Sequence, residues 1–115
     1  MKIFIKFVVV LYLFLPMISS ASFETAMQYY EKGEFEQAYN DFIALAKIGH
    51  SQSQFNLAVM YYHGQHVKKN IIEAYAWSQL AKNNPDVEKT TEKAILIIQK
   101  KHNQELMMHR YAFKS

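Results

Sequence analysis

Five histidines and no cysteine bound the chemistry open to this chain. The tightest group is His63-x-x-His66, with His50 earlier in the sequence and Glu73 as the nearest acid. Two imidazoles at that spacing could share a metal ion, but zinc takes about four protein ligands, or three and a water. With no thiolate to complete the set, the pair reads as a polar loop between helices. The expectation is no metal and no cofactor. The sequence carries no H-E-x-x-H, no glycine-rich phosphate loop and no serine elbow. Acid–base catalysis needs titratable groups paired in a tuned setting, whereas the acids here are scattered over solvent faces. No catalytic residue is expected, and the chain reads as a binding protein, not an enzyme.

Binding chemistry is better supplied. Tyr29, Tyr30, Phe35, Tyr39, Phe42, Phe55, Tyr61, Tyr62, Tyr75 and Trp77 are spread through the middle of the chain. Most must pack in the core, but aromatics with polar tips also anchor interfaces when half exposed. Lys68-Lys69 reads as a solvated turn, and Met107-Met108 as a soft packing surface.

The elements that must position these residues begin after a leader. Lys2 and Lys6 give a basic start, Phe7 to Leu15 is an apolar run, and Ser19-Ser20-Ala21 supplies the small residues of a cleavage site. This is the layout of a secretory signal peptide over residues 1–21. The run is shorter than the roughly 20 apolar residues of a spanning helix, so no stable membrane insertion is expected after cleavage. Loss of Lys2 and Lys6 lowers the formal net charge of +3 by two, which leaves too little positive charge for a nucleic-acid footprint. Residues 22–115 then form one domain held by packing alone, without disulfides.

Glycines and one proline punctuate that domain at Gly33, Gly49, Gly64 and Pro85, and helical apolar spacing fills the intervals. The spacing predicts a helix over Phe23–Lys32, with Phe23, Ala26, Met27 and Tyr30 on one face. A second covers Phe35–Ile48, burying Phe35, Ala38, Phe42, Leu45 and Ala46. Ser51 and Gln54 read as a capping box that opens a third helix. That helix has two apolar stripes, Gln54, Leu57, Ala58 and Tyr61 beside Phe55, Val59 and Tyr62, and so packs against two neighbours. Asn70 caps a fourth helix over Ile71–Lys82, with Ala74, Tyr75, Trp77, Ser78 and Ala81 inside. Asn84-Pro85-Asp86 starts a fifth, whose stripe of Val87, Thr91, Ala94, Ile95 and Ile98 runs out near Lys101. A break at His102-Asn103 and a short sixth helix over Gln104–Phe113 are expected.

Ala38-Tyr39 repeats as Ala74-Tyr75, and Tyr30-x-x-Gly33 as Tyr61-x-x-Gly64, offsets typical of helix-pair solenoids. The segment Gly49 to Ala81 resembles the Sel1-like repeat family, kin of tetratricopeptide repeats. The resemblance is carried by Gly49-His50, Gln54, Asn56-Leu57, Met60-Tyr61, Gly64, Val67, Glu73-Ala74, Trp77 and Ala81. The stretch from Ala26 through Leu45 is similar to a degenerate unit of the same kind. Family members commonly carry glycine where this chain has Ala58 and His66, aspartate at Asn70 and alanine at Lys82.

The fold expected is all-α: an antiparallel helix-pair solenoid of two repeats, the better one at 49–82, with capping helices over 86–113. The resemblance implies an adaptor that works through protein–protein contacts, and with the leader it implies a periplasmic or secreted one. An alternative is a modulator or immunity-type inhibitor of an envelope enzyme or toxin. A third reading, a cell-wall hydrolase or metal-binding protein, has less in the sequence behind it. In this architecture the first helices of successive pairs line a groove. That places Tyr29, Asn56, Val59, Tyr62 and His63 as candidate residues for a protein partner.

The leader makes a direct prediction. N-terminal sequencing of the protein from cells is expected to begin at Ser22, and a start at Met1 in the membrane fraction would overturn it.

Overall fold

The computed structural model describes residues 21–84 and 89–114. The signal peptide expected over residues 1–21 therefore lies outside the described residues except for Ala21, as does the helix start expected at Pro85-Asp86. Among the described residues the chain is helical throughout: α1 (Phe23–Glu31), α2 (Phe35–Lys47), α3 (Ser51–His63), α4 (Ile71–Lys82) and α5 (Lys89–Ala112). Each helix packs on the next in chain order, and α3 also touches α5.

The helix starts are mostly those the side chains dictate. Ser22 caps α1 by accepting from the Thr25 amide, and Asn70 caps α4 by accepting from the amides of Ile72 and Glu73 at 3.0 and 3.1 Å. The start of α3 corrects the expected capping box. His50 is the cap, its Nδ1 accepting from the Ser53 amide at 3.2 Å, and Ser51 is already helical. Gln54 does not fold back on the helix start. Its Nε2 donates to the Ala46 carbonyl at 3.1 Å, adding a second bond to an acceptor at the end of α2 that the Gly49 amide also reaches at 3.1 Å.

The turn after α3 depends on Gly64. Its φ of +70° lies in the left-handed region, and an added Cβ would come within 3.2 Å of the Lys69 backbone nitrogen. Two residues later His66 holds a φ of +62° without being glycine.

Two apolar clusters make the core. The first gathers Ala26, Ala38, Phe42, Ala46, Leu57 and Met60, with Phe23, Tyr30 and Phe35 packed around it. The second gathers Ala58, Ala74 and Ile98, with Tyr61, Tyr62 and Tyr75 at its edge. Trp77 packs against both. In α4, Ala74, Ser78 and Ala81 are buried as expected, Tyr75 and Trp77 are only half-buried, and Ile71 is buried in addition.

The expected break at His102-Asn103 is absent, and α5 runs unbroken for 24 residues. Loss of an apolar face removes packing but not backbone hydrogen bonds, and no glycine or proline interrupts the segment. His102 instead extends the contact by stacking on Tyr75, ring centroids 4.3 Å apart. The apolar stripe does end where expected. Beyond His102 only Glu105 is partly covered, and Leu106, Met107, Met108, Tyr111 and Phe113 are exposed.

Leu57 is fully buried at the meeting point of the helices. Leu57→Ala is expected to cost about 2–5 kcal/mol of stability through lost burial and a residual cavity. Urea denaturation measures it, and a loss under about 1 kcal/mol would contradict this placement.

Candidate functional site

Beside the second cluster α3 carries a further strip, with Tyr62 at the cluster's edge. Val59, Tyr62 and His63 stand at i, i+3, i+4 and share a face. On α5, Ala94, Ile97 and Ile98 repeat the same spacing. The two triplets face each other across a groove of about 250 Å³. Ile98 is buried at its base, and Ile97 is 60 % exposed at its lip. The Tyr62 ring meets the His63 imidazole edge to face at 5.1 Å, and the Lys69 ammonium stands 5.9 Å from the Tyr62 ring centre. The groove therefore offers an apolar floor with an aromatic wall and a cation beside it. It can hold an apolar side chain, and among the described residues that line it none is a carboxylate.

Of the five residues expected to bind a partner, the structure brings Val59, Tyr62 and His63 together. Asn56 turns towards α1, its Nδ2 donating to Met27 Sδ at 3.4 Å. Tyr29 packs against the first cluster and lies away from the groove. The residues that sequence reasoning missed are those of α5. Ile97 stands outside the stripe that predicts the core face, but Ala94 and Ile97 at i, i+3 already mark a second apolar strip.

The histidines occupy separate settings. His50 caps α3 and packs on Phe23, His63 packs on Tyr62, and His66 sits 5.3 Å from the ring of Tyr39. Among the described residues no three His, Asp or Glu side chains gather as a metal site would require.

A polar seam joins the first helix pair to the second behind the groove. Tyr30 donates its hydroxyl to Gln65 Oε1 at 2.9 Å, and the hydroxyls of Tyr39 and Tyr61 lie 3.1 Å apart. The Tyr61 phenol is pushed up to about 12, chiefly by its hydrogen bond with Tyr39, then by burial and by the charges of Tyr39 and Glu73.

In the comparison with protein families, the Sel1 repeat matches residues 11–34 and 51–86, just over half of the chain. The second segment contains α3 and α4 with the loop between them; the first runs from within the apolar run Phe7 to Leu15 through α1. No curated protein and no solved structure matches the chain.

The Tyr39–Tyr61 pair has a pH signature. Folding raises the Tyr61 pKa above its ordinary value of 10.0, so the native state holds the proton that the unfolded state releases. The contribution is complete below pH 10 and is lost as pH rises through the interval towards about 12. The melting temperature of Tyr61→Phe is expected to fall less than the parent's over that interval, although the variant starts lower for want of the hydrogen bond. Parallel melting curves across the range would contradict it.

Proposed function

From the premise that this chain belongs to the Sel1 repeat family, whose repeats generally mediate protein–protein interaction, we propose that it is an exported adaptor. It docks a segment of a protein partner in the groove between α3 and α5. The observation that carries this reading is the meeting of Val59, Tyr62 and His63 with Ala94, Ile97 and Ile98 around a concave apolar surface. Concave apolar sites with a few polar groups at the edge are where proteins take ligands. Export is supported by the basic, apolar and small-residue order of residues 1–21, which implies a periplasmic or secreted protein. The family match across 11–34 overlaps that leader, which makes the mature N-terminus the direct measurement of localisation.

Tyr62 is the residue on which the proposal turns. It is half-buried, forms one wall of the groove and presents an aromatic ring to any occupant. Aromatic side chains are over-represented among the few residues that dominate interface energy. Affinity capture from an envelope extract, followed by mass spectrometry, is expected to recover a partner with the parent protein. Tyr62→Ala is expected to weaken that complex by at least about 1 kcal/mol while its melting temperature stays close to the parent's. Unchanged affinity in a folded Tyr62→Ala variant would remove the groove from the interface.

A further inference from the structure

The charges around the groove specify its occupant more closely than its shape does, given the docking reading above. Lys93 and Lys101 stand four residues either side of Ile97, one helical turn away on the same face of α5, and Lys100 stands three residues on. Lys69 stands beside Tyr62 on the opposite wall. α3 contains no acidic residue. Of the two acids of α5, Glu92, five residues before Ile97, falls well round the helix, whereas Glu105 shares the Ile98 face but stands two turns beyond the groove, past Lys101.

The asymmetry extends over the whole domain. Residues 22–88 carry eight acidic and five basic side chains, whereas residues 89–115 carry six basic and two acidic. The basic excess is therefore concentrated in the helix that forms one wall of the site.

We infer that the groove takes a peptide segment of a partner protein in which a leucine- or phenylalanine-sized side chain is flanked by aspartate or glutamate. The apolar side chain fills the floor between Val59, Ile97 and Ile98 and supplies most of the affinity. The carboxylates meet Lys93 and Lys101 on one side and Lys69 on the other, and select against neutral or basic segments.

The test is a random dodecapeptide library displayed on phage and panned against the parent protein. The enriched sequences are expected to place Asp or Glu next to Leu, Ile or Phe. A synthetic consensus peptide is expected to lose at least about fivefold in affinity to Lys93→Glu/Lys101→Glu, and about as much when its apolar anchor becomes serine. Its binding should also weaken as salt rises from about 50 to about 500 mM. Lys93 is exposed, Lys101 is half-buried and neither belongs to a core cluster, so the double variant should keep its helical circular dichroism and melting temperature. A neutral consensus that still depends on Tyr62 would overturn this inference and leave the docking groove standing. Peptides that bind the parent, Tyr62→Ala and the double lysine variant alike would overturn both, as would a library that yields no enrichment. Acidic peptides that bind equally well without an apolar anchor, or a single-stranded oligonucleotide that binds more tightly than the consensus, would also overturn it.

Discussion

The structure depends on how α3 divides its circumference. Successive residues on a helix turn by about 100°, so adjacent positions can serve different neighbours. Leu57 and Met60 are buried in the cluster shared with α1 and α2, and Ala58 in the cluster shared with α4 and α5. Ala58 has no side chain beyond Cβ, which lets α4 and α5 approach closely. With both sides committed, Val59 and His63 occupy the remaining arc, together with Tyr62 at the edge of the second cluster. The candidate site borders the second core, sharing Ile98 and Tyr62 with it, and its position follows from the packing.

Apolar contacts of this kind are tolerant of sliding, and the polar seam removes that tolerance. Tyr30 reaches Gln65, Tyr39 meets Tyr61, and Gln54 ties α3 to the last turn of α2. Each such bond adds only about 1 kcal/mol net, but each leaves a half-buried polar group unpaired if the register shifts. The loop between α3 and α4 is held in the same network, with His66 packed on Tyr39 despite its left-handed backbone. Glycine would relieve that backbone and lose the ring contact.

Much of the architecture was legible because apolar period and helix punctuation agreed. Gly33, Gly49 and Gly64 all take positive φ between helices, and Asn70 caps as its position implies. What was not legible depended on partners distant in sequence. Ser51 reads as a cap locally, but His50 takes the role and Gln54 is drawn to a carbonyl on another helix. Met60 lies outside both apolar stripes read on α3 and is fully buried, because α1 and α2 cover that flank together. The continuity of α5 was missed by treating the end of its apolar stripe as the end of the helix. The groove followed the same rule: its α3 wall could be named from spacing, whereas the α5 wall required knowing which helix crosses beside it.

Trp77 is the only tryptophan in the chain, and it packs against both clusters while remaining half-buried. All the intrinsic indole emission therefore originates at the boundary between the two helix pairs. A shift in its wavelength reports the parting of those pairs, whereas far-ultraviolet dichroism reports the unwinding of individual helices. Nature has placed the spectroscopic probe where the two events can be told apart, so the coincidence or separation of the two signals on heating measures whether neighbouring repeats melt as one cooperative unit.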